Sequence, residues 1–388
     1  MTFVAVTFVV LPFALFGYAY VGYPLLLYLA GRVRQRPQRP TDPARWPAVS
    51  FSIPMYNEAR VAAELLESIL AVDYPADRRQ VLVISDASED GTDEVVRQFA
   101  DRGVELVRQP QRRGKSAGEN MAAPHLRGDI VINTDASVRI RPDAVKELVR
   151  WFQDPTVGVA SGRDVSVSRT ATDDNRGEAG YVGYEMWVRQ LETRLGTIVG
   201  ASGCLYAIRR ELVAHAFPEA LSRDFASCLI AREHGFRAVS VDEAICYVPR
   251  ARSLAGEYRR KVRTMVRGLQ TLWFKRALLN PLRYGRFALF LNSHKLVRWL
   301  VFLTLPLSLA GLAWLAVDAW AARWLLALVL AGLAAGAMGI RWEAGQGAPR
   351  PLRILAFAVA SCVAGVVAWL KAFAGHRAAT WEPTRRTP

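Results

Sequence analysis

Several features are scarce in this chain of 388 residues. Cysteine occurs four times, at Cys204, Cys228, Cys246 and Cys362, and never in a Cys-x-x-Cys pair. That spacing argues against a disulfide framework, so the four read as small core residues of a reducing compartment. The five histidines show no metal-ligand spacing either. No internal repeat or low-complexity tract breaks the chain. Acids are nearly missing between Arg250 and Arg298, where Glu257 stands alone against thirteen Lys and Arg. Twelve of the fifteen net positive charges therefore lie in that stretch. Such a block suits nucleic acid, anionic lipid or a phosphorylated substrate. It carries no recognisable nucleic-acid reading module and adjoins apolar runs, so nucleic acid is not among the expected partners.

Apolar residues are plentiful, at 52% of the chain. Phe3 to Ala30 is an uncharged run long enough to cross a hydrocarbon core. No basic residue precedes it, and it is too long for the apolar region of a signal peptide, so a retained anchor is expected. Arg32, Arg34, Arg36 and Arg39 follow, and the positive-inside rule places them in the cytoplasm. Pro37, Pro40, Pro43 and Pro47 then make a stiff linker. Leu296–Val317, Trp324–Ile340 and Ile354–Phe373 are three further candidate spans, with Asp318 and Arg323 marking a tight hairpin between the first two. The arginines Arg377, Arg385 and Arg386 fit an outside tail poorly, which leaves a re-entrant or surface-lying last segment open.

Between these runs, strand and helix patterns alternate. Val49–Ile53, Val81–Ile84, Val104–Val107 and Ile130–Asn133 read as strands, the first broken by Pro54. Ala59–Ala71, Thr92–Ala100, Lys115–Met121 and a segment from Pro142 read as helices. Regular alternation of this kind argues for a largely parallel α/β sheet covered by helices. Ser168–Gly177 is polar and reads as a loop. Glu257–Trp273 keeps Tyr258, Val262, Met265, Val266, Leu269 and Leu272 at helical spacing, with arginines between them, as expected of an interfacial helix.

Ligands of open α/β sheets sit beyond the carboxyl ends of the strands. The stretches expected there are Pro54-Met55-Tyr56-Asn57-Glu58, Asp86–Thr92, Arg113-Gly114-Lys115, Thr134-Asp135-Ala136-Ser137 and, opening a later helix, Ser222-Arg223-Asp224-Phe225. Their chemistry is consistent: carboxylates for ribose, base or metal, a Gly-Lys turn for phosphate, and one later acid free to take a proton.

In order and spacing these stretches resemble a membrane-anchored family 2 glycosyltransferase, with the nucleotide-diphospho-sugar-binding α/β domain called GT-A. The resemblance runs from about Tyr20 to Gly268. It implies an inverting transfer from a nucleotide-diphospho-sugar, expected to be UDP-linked, to a lipid-linked or glycan acceptor in cell-surface polysaccharide or glycolipid synthesis. By that resemblance Pro54, Tyr56 and Glu58 line the nucleoside pocket, Asp86 contacts base or ribose, and Gly114 and Lys115 lie by the nucleotide. Asp135 matches the first acid of the DxD motif, and Asp224 the aspartate of the Glu-Asp motif, the general base. Gly200–Arg209 resembles the glycine-rich segment near the acceptor.

The departures are specific. Ser137 stands for the second DxD acid, so Mg²⁺ or Mn²⁺ is expected on Asp135 with Ser137 as a weak ligand. Arg223 replaces the acid before Asp224. The QxxRW motif of processive synthases is absent, and Arg260 and Arg263 in that region are candidates for diphosphate contact. A processive exopolysaccharide synthase, or a non-catalytic nucleotide-sugar-binding subunit of a synthase complex, stays open beside the simple transferase. Synthase or export partners are accordingly possible.

The expected organisation is an anchor over 1–30, a linker over 31–47 and a cytoplasmic GT-A domain over 48–256. An interfacial segment over 257–295, three spans within 296–374 and a basic tail over 375–388 follow. A multi-pass protein of the inner membrane is implied, with membrane lipids as partners.

Overall fold

The structure is a computed structural model that describes residues 2–34, 38–167, 176–213, 217–249, 254–343 and 349–376. Arg36, Pro37, the tail arginines and residues 168–175 of the expected polar loop lie outside the described residues.

The chain opens with α1 (Thr2–Gly17), a π-helical turn over Tyr18–Gly22 and α2 (Tyr23–Arg32), which join into one apolar helix. A mixed sheet of eight strands among the described residues follows, in the order β3-β2-β1-β4-β7-β6-β8-β5. Chain order gives β1 (Val49–Met55), α3 (Ala59–Leu70), β2 (Arg79–Ser85), α4 (Thr92–Arg97) and β3 (Val104–Arg108). Next come α5 (Lys115–Ala122), β4 (Ile130–Thr134), the short β5 (Arg139–Ile140) and α6 (Ala144–Arg150). The second half holds β6 (Val157–Val167), α7 (Arg176–Arg194), β7 (Leu205–Arg209), α8 (Arg210–Val213), α9 (Arg223–Glu233) and β8 (Arg237–Pro249).

β1, β2, β3 and β4 are mutually parallel, as the alternation predicts. β7 and the short β5 are the exceptions: β7 runs antiparallel between β4 and β6, so β6 points the same way as β4, and β5 runs antiparallel to β8. Both sheet faces are covered. Phe51, Ile53, Leu65, Leu66 and Ile132 belong to one apolar cluster, and Leu82, Ile84, Val131 and Tyr206 to the other. Such double burial is why the first strands read as short continuous apolar runs.

Pro54 does not end the first strand, contrary to the sequence expectation, since β1 continues to Met55. Met55 faces β2, where its carbonyl accepts the N–H of Asp86, so Pro54 faces β4. Pairing with β4 stops at Ser52, so the missing proline N–H leaves no broken ladder bond.

After the sheet, α10 (Leu254–Phe274) packs Val262 and Val266 against Ala364 and Ala368. Those alanines belong to the last helix. The remaining elements are α11 (Pro281–Tyr284), α12 (Arg286–Leu291), α13 (Val297–Asp318), α14 (Trp320–Glu343) and α15 (Arg350–Phe373). A second π-helical turn, Asn292–Leu296, fuses α12 to α13, so the expected span at Leu296 begins at Arg286. Four helices among the described residues are long and apolar enough to cross a membrane: Thr2–Arg32, Arg286–Asp318, Trp320–Trp342 and Pro351–Phe373.

The sheet domain is tied to these helices by a buried ionic network. His294, in the second π turn, places Nδ1 2.6 Å from Glu192 and Nε2 2.9 Å from Glu185 of α7. Tyr23 donates to Glu192 at 2.7 Å, and Arg298 donates to Glu185 at 2.7 Å. Burial alone would raise the Glu185 carboxyl, but His294, Lys295 and Arg298 hold it well below its ordinary range.

Candidate active site

The loops after β1 and β2 interlock at the carboxyl edge of the sheet. Asn57 and Ala87 both take positive φ, at 52° and 57°, a strained conformation for non-glycine residues that recurs at functional sites. Asn57 Oδ1 accepts the N–H of Glu89 at 2.9 Å, and Thr92 Oγ1 accepts that of Glu58 at 2.9 Å. Asp90 accepts from the N–H of Ala59 and of Thr92, the first residues of α3 and α4, and so ties the two helix starts together. Tyr56 extends from this turn with the guanidinium of Arg112 stacked 3.9 Å from its ring centre.

Asp86 is buried and organises the loop before α5. Its Oδ1 accepts from Gln109 at 2.7 Å and from the N–H of Arg113 at 2.8 Å, and its Oδ2 from the N–H of Gly114 at 2.9 Å. Gly114 has φ of +92°, which a side chain would strain, so glycine is required for that turn. The turn delivers Lys115 to Asp135, with Nζ 2.7 Å from Oδ1. Burial lowers the Lys115 ammonium pKa, yet Asp135 and Glu119 outweigh it and hold the group above its ordinary range. Ser137 lies two residues on, half-buried at the same strand end.

Ser222, in an extended conformation, is the N-cap residue of α9. Asp224 sits in the first turn, where its charge suits the helix dipole, and its Oδ1 accepts from Ser222 at 2.5 Å. The segment before β7 comes up against it: a Cβ on Gly203 would stand 3.0 Å from Asp224 Oδ2. Asp224 and the glycine-rich segment are therefore adjacent, although twenty residues separate them in sequence.

Arg223 is buried on the other side of α9. It donates to Asn120 at 2.5 Å and lies 3.9 Å from Glu119. Burial pushes the Glu119 carboxyl up, and both of its oxygens lack hydrogen-bond partners among the described residues. The charge that departs from the motif thus meets an acid that α5 supplies.

Among the arginines of α10, Arg260 is paired with Glu257 of its own helix at 2.9 Å. Arg267, seven residues on, reaches the sheet domain, donating to Ser116 at 2.9 Å and to the Leu221 carbonyl. Burial lowers the Arg267 pKa, and Asp224 and Glu119 oppose that. Sequence reasoning missed Arg267, although it shares a helix face with Arg260 and Arg263 at helical spacing. Among the described residues no group of three or more His, Cys, Asp or Glu is arranged to hold a metal. Asp135 with the Ser137 hydroxyl is an oxygen donor pair that fits a hard divalent cation completed by phosphate oxygens.

A mostly parallel sheet with a phosphate-suited turn and an acid at the end of its fourth strand is the architecture of the GT-A fold. Residues 50–217 match the family model described as glycosyl transferase family 2. The sheet domain is thus similar to that family, and the chain carries helices long enough and apolar enough to cross a membrane.

Its relatives are diverse. It is 28% identical over 238 residues to an N-acetylglucosaminyltransferase of Mesorhizobium japonicum, covering 56% of this chain and 55% of that one. It is 28% identical over 169 residues to a beta-monoglucosyldiacylglycerol synthase of Nostoc sp., covering 42% and 36%. The chain thus spans about half or less of the curated relatives it matches. Among solved structures, the mannosyltransferase PcManGT from Pyrobaculum calidifontis, in complex with GDP-Man and Mn²⁺, superposes with a TM-score of 0.72. That pair is 25% identical and covers 97% of this chain and 99% of the other.

Proposed function

We propose that this enzyme transfers a sugar, with inversion, from a nucleotide-diphospho-sugar to a lipid-linked or glycan acceptor at the membrane. The observation that carries this reading is the shared sheet edge of two groups. Lys115 and Asp135 sit at the end of β4, and Asp224 lies against Gly203 just before β7 begins antiparallel to β4. A diphosphate by the first group and an acceptor hydroxyl by the second would place the reacting carbon between them.

In this reading Asp224 takes the proton of the acceptor hydroxyl, a contribution of about 10²–10⁴-fold. The Ser222 hydroxyl bond leaves Asp224 Oδ2 turned toward Gly203, where the missing side chain makes room for the acceptor. Lys115 holds the diphosphate, and Arg267, whose buried Nε has no hydrogen-bond partner among the described residues, adds positive charge behind it. Tyr56 with Arg112 offers a flat surface for the nucleobase. Asp86 shapes the phosphate loop from below, with Pro54 and Glu58 at the adjoining strand end. Mg²⁺ or Mn²⁺ held by Asp135 and Ser137 would neutralise charge developing on the leaving diphosphate.

The relatives' names include glucosaminyl and glucosyl transfer and a glycolipid product, and the solved mannosyltransferase holds GDP-Man. Both UDP- and GDP-sugars therefore belong in the test. The full chain should be incubated with a panel of such donors and a membrane lipid extract, and the products read by mass spectrometry. A single added hexose on a lipid or glycan is expected. A ladder of additions would instead favour a processive synthase. Donor binding without any product would favour a non-catalytic subunit.

A further inference from the structure

We infer that Asp164 is a specificity residue of the donor site, accepting a hydrogen bond from a hydroxyl of the transferred sugar. The inference rests on the transferase reading above. β6 runs the same way as β4, so its carboxyl end reaches the edge where Asp135 lies. It does not arrive there regularly. Pairing with β8 passes from Ser161–Ser240 to Arg163–Ile245, so β6 advances two residues while β8 advances five. Interruptions of this kind re-aim the side chains that follow. Gly162 makes the shift possible, because a Cβ there would stand 2.9 Å from the Ala244 carbonyl oxygen and 3.1 Å from that of Leu205.

Beyond the shift, Asp164 Oδ1 accepts from Ser202 Oγ at 2.6 Å and from Cys246 Sγ at 3.3 Å. Oδ2 makes no hydrogen bond among the described residues, and a purely structural tie to Ser202 would not need it. Burial pushes the carboxyl above its ordinary range; the Ser202 bond and Arg189 oppose this, while Asp135 adds to it. Ser202 is itself fixed: its N–H donates to Ser161 at 2.8 Å, and its Oγ accepts from the N–H of Cys204 at 3.0 Å. Its hydroxyl hydrogen is thus directed at Asp164. The next residue, Gly203, lies beside Asp224, whose Oδ2 would stand 3.0 Å from a Cβ added there.

Asn133 of β4 and Ser161 of β6 both pair with Tyr206, so Asp164 leaves the sheet near the level of Asp135, and Ser202 and the adjoining Gly203 link it to the proposed base. In an inverting displacement the sugar occupies that interval, with the base on the face opposite the leaving group. Sugar hydroxyls are donors, and a carboxylate is their strongest neutral-pH acceptor among side chains.

Calorimetry on the full chain in detergent, with UDP-N-acetylglucosamine and GDP-mannose against UDP and GDP, isolates what the sugar adds to binding. Asp164→Asn keeps an Oδ1 for Ser202 and Cys246 while removing the charge. Affinity for the better sugar nucleotide should fall about tenfold or more, whereas that for its bare diphosphate should change less than twofold. A deoxy form of that sugar, lacking the contacted hydroxyl, should weaken wild type by a similar factor and leave the variant unchanged. Ser202→Ala, which frees Asp164 to turn, should give a smaller loss confined to the sugar nucleotide. Equal losses for sugar nucleotide and bare diphosphate would overturn the inference, as would deoxy penalties undiminished in the variant. So would sugar nucleotides that bind wild type no tighter than the bare diphosphates. The readout is binding, so it stands or falls separately from product formation, which tests the transferase reading.

Discussion

Lys115 and Asp135 form an ion pair, 2.7 Å from Nζ to Oδ1, at the end of the fourth strand. The ammonium and a divalent cation would compete for the same carboxylate, and Ser137 offers only a neutral oxygen beside it. A single carboxylate plus substrate phosphates is a common minimum for Mg²⁺. Calorimetry should therefore detect Mg²⁺ or Mn²⁺ only together with the sugar nucleotide. Ser137→Asp should tighten the ion alone, and Asp135→Ala should abolish its binding in both conditions. Full activity in excess chelator would sink the idea.

Asp224→Asn should cost about 10²–10⁴-fold in turnover while the donor Kd moves less than threefold. Stopped-assay rates and calorimetry on the same preparation check both numbers. Turnover within a few-fold of wild type would remove Asp224 from the role of base.

His294 lies between Glu185 and Glu192 in a buried network. Breaking such a network by removing one partner costs about 3–5 kcal/mol, because the remaining charges stay buried. His294→Ala should lower the melting temperature in detergent by many degrees, and Glu192→Gln by less. An unchanged melting curve for His294→Ala would show that the network contributes little.

Asp242 is pushed up to about 6 by burial. A carboxyl raised in the folded state holds its proton more tightly there, so folding is favoured at low pH. That contribution fades as pH rises through the window from the ordinary aspartate range to about 6. Melting profiles between those limits should fall less steeply for Asp242→Asn than for wild type.

If the arginines after Ala30 face the cytoplasm, single cysteines placed on exposed sites of the sheet domain should resist an impermeant thiol reagent in intact cells. Labelling there, at rates matching permeabilised cells, would reverse the proposed orientation.

Much of this architecture is legible along the chain, because it rests on local signals. Apolar runs of strand length, helix-spaced apolar faces and uncharged stretches of some twenty residues reveal the sheet and the candidate spans. Gly114, Lys115, Asp135 and Asp224 stand out because strand ends and helix starts can be read from neighbours a few residues away. Pro54 misled the strand boundary, since whether a proline is tolerated depends on which neighbouring strand its missing N–H faces. Arg260 and Arg267 differ in the same way. Both sit on one helix with similar local sequence, and only the docking of α10 against α15 decides which reaches Ser116. Asp164 looks like any polar residue of an edge-bound strand until the Ser161–Arg163 register shift turns it toward Ser202. Arg223 reads as a broken motif until Glu119 and Asn120 come beside it, and His294 reads as an isolated histidine until α7 brings two glutamates. In each case the sequence sets the chemistry of a side chain within its own element. Tertiary structure alone decides its partners, because contacts between elements depend on register, helix phase and packing that no local pattern records.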